Sequence, residues 1–443
     1  MNRRFLLAIL LVPFAAPLAR AEDPFVYTET TTSGTPATVL IKGHSIINVT
    51  DDLLLGYGSG AKLYGQNVSA TLNYAGVPDA LKLTVSADHT TATLSYPGSA
   101  KPGQTFSAVG SAYPASSLDN QVYNSITDSR NQNWENLQER LNQNSTIMPA
   151  DGNPSAATGF LAAESFDRFA LLRDQDPASS VRVDWPRHQD QVYDFYAPVV
   201  TLDIDGSHIN STGFNGYDLR WELAATGKIT PHIGYSVALP YQYRDIAGAD
   251  SETVGIEAGL PIDFLGVGRR PAVAWTVTPY LEFAYSDSRR LGSQLGLFDG
   301  GVASRLAFRF GRDRDWAVAF GSQFTGYAGI HDDNGGGGYY DDGYGDGYYG
   351  GYGGYDEFRG HISQQLFKQG VQVLHDFDHG VSVDVGVTYS SFVQNAAVDQ
   401  WWTPRLGVGW QLDKHIGMRW DLNGDLASHY TAVGGRFEFD FRF

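Results

Sequence analysis

The sequence predicts an all-β chain: a small β-rich region, a short helical stretch, and then a single antiparallel sheet of about twelve strands closed into a barrel. Three observations carry that expectation. Residues 193–443 alternate apolar and polar side chains with a period of two, segment after segment. The connections between these segments are short and long by turns, as when strands run up and down a barrel. The 443-residue chain is also built from strand and turn formers, with 51 Gly, 25 Tyr and 24 Phe, and only 18% of it is charged.

Composition narrows function before any motif is considered. Without cysteine there is no disulfide scaffold and no cysteine-ligated zinc or iron–sulfur site. Acidic residues outnumber Lys and Arg by 49 to 31, the opposite of a basic nucleic-acid footprint, so no nucleic-acid partner is expected. A chain that is 42% hydrophobic and 13% aromatic has enough material to bury and is not expected to be disordered as a whole. No cofactor is implied by any motif.

The first element is a secretory signal over residues 1–21. Arg3 and Arg4 supply its positive start, residues 5–18 its apolar stretch, and Ala19, Arg20 and Ala21 a small-x-small cleavage site. Residues 22–112 form the small β-rich region, sandwich-like in size and turn spacing. Residues 38–41 and 46–49 are short β-branched runs, and Leu81, Leu83 and Val85 face Ala92, Leu94 and Tyr96 across a turn. Residues 113–192 change character: Leu118, Val122 and Ile126, then Trp134, Leu137 and Leu141, recur at helical spacing. A further helix is expected over residues 162–173, with Phe166, Phe169 and Leu172 on one side. Two readings stand for this stretch: a linker packed against one mouth of the barrel, or a plug inserted into it.

From residue 193 onward the dyads are read strand by strand. They centre on Val200 to Ile204, Tyr217 to Leu223, Tyr235 to Tyr243, Val254 to Ile262, Trp275 to Phe283, Leu306 with Phe308, and Val318 with Phe320. They continue through Phe367, Val371 and Val373, then Val381 to Tyr389, Trp402 to Leu412, Met418 to Leu426, and Arg436 to Phe443. Short turns are expected near residues 226–230, 265–270, 311–315, 376–380 and 413–415. Long connections are expected near 205–216, 245–251, 286–294, 330–360, 394–400 and 427–435. No segment after residue 21 is long and apolar enough for a transmembrane helix. A membrane form of this chain must therefore be a barrel, because only helices and closed barrels satisfy every backbone group in lipid.

At this point the chain resembles the Gram-negative outer-membrane β-barrel proteins, on the signal segment, the dyads and the last strand. That strand places Phe437, Phe439, Phe441 and Phe443 on one face and ends in phenylalanine, which resembles the family's signal for the barrel assembly machinery. The resemblance covers residues 193–443 and selects no subfamily. It implies a location in the outer membrane, with outer-membrane lipid and the assembly machinery as partners, short turns on the periplasmic side and long loops outside. Its size is similar both to autotransporter translocator barrels and to channels of unrelated function.

Facing the polar side inward puts Arg220, Arg244, Arg305, Arg309, Arg405, Arg419, Arg436 and Arg442 in the lumen. Asp203, Asp218, Glu222, Glu257, Asp263, Glu282, Asp384, Asp421, Asp425, Glu438 and Asp440 join them. Such an interior is either a water-filled passage or a filled barrel held by ion pairs. Residues 330–360, rich in Gly, Tyr and Asp, read as a solvated outer loop. His375, Asp376, Asp378 and His379 are metal-ligand types at a turn, where Asp is an ordinary turn former. Ser207 with His208 and Ser428 with His429 are the nearest approach to a hydrolase, but adjacent strand residues point to opposite faces. The leading expectation is a non-enzymatic, weakly selective channel for hydrophilic solutes with a periplasmic N-terminal domain. Surface display or adhesion in the manner of an autotransporter is the alternative, and a hydrolase comes third.

Overall fold

A computed structural model describes residues 26–31, 40–41, 46–97, 103–127, 131–172, 198–211, 214–266, 271–288, 293–311, 315–330, 358–359, 363–377, 380–412 and 415–443. The signal segment and residues 331–357 of the expected outer loop lie outside the described residues.

The N-terminal region is built on one six-stranded sheet with the order β2-β1-β3-β4-β5-β6. Its strands are β1 (Val26–Thr31), β2 (Leu40–Ile41), β3 (Val68–Tyr74), β4 (Val77–Val85), β5 (Thr91–Ser95) and β6 (Gln104–Ser107). Helices α1 (Ile46–Leu55), α2 (Pro114–Thr127) and α3 (Gln132–Asn144) accompany it. It is therefore a single sheet with helices rather than a sandwich of two sheets. Residues 46–49 open α1 instead of a strand: Ile46, Val49, Leu53 and Leu54 recur at helical spacing, and all are buried in the common core. Leu118, Val122 and Ile126 of α2 and Leu137 and Leu141 of α3 fill the same core, so helical periodicity there reflects packing.

Residues 199–442 form a closed antiparallel barrel of 12 strands. In chain order these are β7 (Val199–Ser211), β8 (Phe214–Lys228), β9 (Gly234–Ile246), β10 (Ala249–Gly259), β12 (Val273–Ser288), β13 (Ser293–Phe310) and β14 (Trp316–Ile330). They continue with β16 (Ser363–Phe377), β17 (Val381–Phe392), β18 (Gln400–Gln411), β19 (Ile416–Ala427) and β20 (Tyr430–Arg442). Two short strands, β11 (Ile262–Leu265) and β15 (Phe358–Arg359), pair at its margins. Pairing of β20 with β7, Phe437 opposite Ile204 and Phe439 opposite Leu202, closes the cylinder and leaves no edge. Leu219, Trp221 and Leu223, Val254 and Ile256, and Leu281 and Phe283 all stand exposed on the outside. That apolar belt around a polar interior is the outer-membrane barrel arrangement.

Several connections are shorter than the sequence suggests. At the end carrying the expected long loops, β9 and β10 are joined through Ala247 and Gly248 alone, both at positive φ, as in a tight hairpin turn. Likewise β19 and β20 pair as far as Ala427 opposite Tyr430. The strands run past the lipid belt there, so hydrogen bonding continues where apolar alternation has stopped. At the other end the link from β10 to β12 is longer than expected, because β11 lies within it.

Helix α4 (Ala157–Phe169) stands inside the barrel. The N-terminal sheet sits on the mouth where β7 turns into β8, opposite the mouth that carries the barrel's own ends at residues 198 and 443. A Cβ added at Gly76, in the β3–β4 turn, would lie 3.0 Å from the Phe214 ring at the start of β8. Ile209, Ile246, Leu297, Tyr327, Leu366 and Tyr430 of the barrel share one core with the N-terminal sheet. The buried apolar surface thus joins the N-terminal domain to the mouth opposite the barrel's own ends.

Candidate functional site

The site is the lumen and the segment that fills it. After α3 the chain turns at Ser145, whose hydroxyl bonds the Ala75 carbonyl and accepts from the Met148 N–H at 3.2 Å. Residues 146–156 then descend through the mouth, buried throughout. The wall receives their backbone: Arg244 donates to the Ile147 carbonyl at 2.6 Å, Gln242 to the Ser155 carbonyl at 3.1 Å, and the Val398 N–H to the Gly152 carbonyl at 2.8 Å. Asp151 lies here. Burial pushes its carboxyl up to about 7, although the Gly152 N–H and the Thr158 hydroxyl both donate to it.

Helix α4 has 13 residues and is therefore about 20 Å long, comparable with an apolar band of about 25 Å. Its charges are sorted by direction. Glu164 and Asp167 face Arg436 at 3.4 and 3.0 Å, and Asp167 also meets Arg405 at 3.3 Å. Arg168 pairs with both Glu222 and Glu257 on the other side of the lumen. A helix with acids toward β18 and β20 and its base toward β8 and β10 cannot rotate without bringing like charges together. That double match fixes orientation more than it adds net stability, since burying ions is itself costly.

Apolar groups complete the seating. Lys368 lies 5.4 Å from the Phe166 ring, and Arg220 5.3 Å from the Phe160 ring. The wall is glycine where the helix comes closest. A Cβ at Gly259 would sit 2.5 Å from the Phe169 ring, one at Gly321 2.5 Å from the Ala170 carbonyl, and one at Gly370 3.1 Å from the Phe166 ring. Beyond the helix, the Leu172 N–H donates to Gln372 at 2.7 Å and Arg305 donates to the Leu171 carbonyl at 2.6 Å. Leu172 itself packs among Ala274, Ala307, Ala317, Ala319 and Leu374. Among the described residues, a cavity of about 50 Å³ lies beside α4, lined among others by Glu164, Asp205, Lys368 and Asp425, which is room for a few waters.

The sequence-derived charges divide into three groups. Arg220, Arg244, Arg305, Arg405, Arg436, Glu222 and Glu257 contact the inserted segment or border it. Arg419 pairs with Asp384 and, at 2.9 Å, with Asp421, a network of the wall itself. Asp425 accepts from Thr403 at 2.6 Å, Asp440 from Thr201 at 2.7 Å, Arg309 lies 3.5 Å from Asp376, and Glu438 is buried. Arg442 is half-buried at the far rim, its N–H bonded to the His415 carbonyl. Glu282 is buried opposite Asp299 in the register, a pair that sequence reading did not join. It also missed Glu164, Asp167 and Arg168, which the helical spacing of Phe166, Phe169 and Leu172 does not single out.

The weaker constellations separate. Ser207 faces the lumen cavity while His208 is exposed on the outer side of β7. His375 stacks on Trp316 at 4.2 Å; His379 and Asp378 lie outside the described residues. Among the described residues, no three His, Asp or Glu side chains converge as a metal site. Phe437, Phe439 and Phe441 line the outer face of β20, and Phe443 is exposed at its end.

No family model matches the chain, and no curated protein does. Among solved structures it is similar to the translocator domain of the autotransporter NalP from Neisseria meningitidis, at 8% identity over 56% of this chain and 89% of that one, with a TM-score of 0.39. An outer-membrane channel from Pseudomonas putida F1 gives 13% identity, 58% and 99% coverage and a TM-score of 0.41. The β-domain of the Bordetella autotransporter BrkA gives 10%, 56%, 99% and 0.38. Overlaps this loose do not choose between display and passage, so the choice rests on the lumen of this chain.

Proposed function

We propose that this protein is an outer-membrane barrel that holds its own N-terminal domain on the outer face of the membrane, with α4 as the tether and seal. The observation that carries this reading is the path of the chain: a domain at one mouth, a helix through the lumen, and the first barrel strand starting at the other mouth. Barrel ends of this class lie on the periplasmic side, which supports an outward position for the domain. The filled lumen favours display over the expected open channel. Lipid and the barrel assembly machinery are its partners in this reading. Ser207 and His208 face opposite sides of the wall, which gives no support to the hydrolase reading at that pair. Protease treatment of intact cells tests the proposal. Release of fragments from residues 26–145 is the expected result, and a domain protected until the outer membrane is breached would rule display out.

A further inference from the structure

Among the described residues, the lipid-facing belt is broken by a polar row. Ser304, Ser322 and Gln369 lie side by side on β13, β14 and β16, in register with one another. One step toward the barrel's ends the outward row is Leu306, Phe320 and Val371; one step the other way it is Val302, Phe324 and Phe367. Apolar rows thus bracket the polar one. Gln369 stands six residues from His375, in the aromatic row with Phe310 and Trp316, which is about 20 Å along the tilted strand and about 15 Å along the membrane normal, and so well inside the hydrocarbon. On the far side of the barrel the same belt shows Leu219, Trp221, Leu239 and Ile256, with no amide or hydroxyl among them.

Gln369 is exposed, and its side chain has no hydrogen bond among the described residues. It lies in a groove of about 790 Å³ walled by Trp275 on one side and by Tyr389 and Trp402 on the other. Acyl chains fill such a groove but offer nothing to an amide, and an unsatisfied polar group in hydrocarbon is costly. We propose that a second copy of this chain covers this face, in a two-fold dimer centred on the Ser304–Ser322–Gln369 row.

Symmetry favours that occupant. Two barrels inserted the same way are related by an axis along the membrane normal, which keeps every residue at its own depth. Register follows tilted strands, so the row slopes by about 3 Å in depth per strand, and the residue nearest the axis, Gln369, is the one that meets its own copy. An amide carries both donors and acceptors and a hydroxyl carries both roles, so the row is its own complement. Tyr389 lies opposite Gln369 in the register, its hydroxyl donating to Gln400 at 2.9 Å. An axis beside the Tyr389–Trp402 wall seats the wall of each copy in the groove of the other.

The absence of cysteine makes the test clean. Ser322→Cys, Gln369→Cys and, on the far side, Ile256→Cys are each oxidised with copper phenanthroline in native outer membranes. Disulfide-linked dimers at least tenfold more abundant for position 322 or 369 than for 256 are expected; equal yields at all three, or none, overturn the proposal. In vesicles, Gln369→Leu is expected to abolish energy transfer between differently labelled copies. Unchanged transfer would mean that the row does not hold the pair, and no transfer in the parent protein would leave lipid as the covering; either result ends the argument.

Discussion

Arg168→Met is the sharpest perturbation of the lumen. Arg168 is 3% exposed and is held between Glu222 and Glu257, themselves 2% and 1% exposed. Its loss leaves two carboxylates facing a helix that no longer answers them. Removing one member of a buried pair typically costs about 3–5 kcal/mol, and each 1.4 kcal/mol is about a factor of ten in an equilibrium. The balance between seated and unseated α4 therefore shifts by roughly a hundredfold to a few thousandfold. Glu164 and Asp167 keep their bonds to Arg405 and Arg436, so the helix is expected to come and go rather than to leave for good. Planar-bilayer recording of the refolded protein reads this directly: the parent should be silent and Arg168→Met should flicker open. Adding Glu222→Gln and Glu257→Gln removes the stranded charges and should restore most of the silence. An Arg168→Met variant as quiet as the parent, or a triple variant as leaky as the single, would refute the claim that this ion triad seats the helix.

Other consequences follow from the same geometry. Gly321→Val should unseat residues 170–172, because its first carbon already falls 2.5 Å from the Ala170 carbonyl, whereas Gly326→Ala has nothing within 4 Å and should be neutral; the thermal melting of the two proteins compares them. Burial raises the Asp151 carboxyl to about 7, so its protonated form favours docking of residues 146–156 fully below about pH 4, and that contribution is lost as pH rises through about 7. The difference is at most about 4 kcal/mol, and Asp151→Asn should flatten the profile of hydrogen-exchange protection between pH 5 and about 8; an unchanged profile assigns the effect elsewhere. Deleting residues 157–172 should leave a folded barrel with steady conductance, and a silent deletion variant would mean that the wall closes by itself.

The barrel was legible because its two faces meet different media. Leu202 and Ile204 touch lipid while Asp203 and Asp205 face inward, and that contrast is written residue by residue. It fades at strand ends: Ile209 and Tyr430 are buried under the N-terminal domain, so strands there carry apolar residues on the inner face and no longer look like dyads. The helix was legible from Phe166, Phe169 and Leu172, but its purpose was not. Glu164, Asp167 and Arg168 resemble any hydrated helix face until the opposing wall is known. The side of the membrane was hidden for a topological reason, since a chain threaded down the lumen and a chain resting beneath the barrel begin the first strand from the same end.

One labelling experiment tests the central claim most directly. Tyr113→Cys places a single thiol at a position 76% exposed on the N-terminal domain, and Thr230→Cys places one on an exposed turn at the opposite mouth. With a membrane-impermeant maleimide on intact cells, Tyr113→Cys should label and Thr230→Cys should not, both labelling once the outer membrane is opened. The reverse pattern, with Tyr113→Cys shielded until lysis, would place the domain in the periplasm and contradict display.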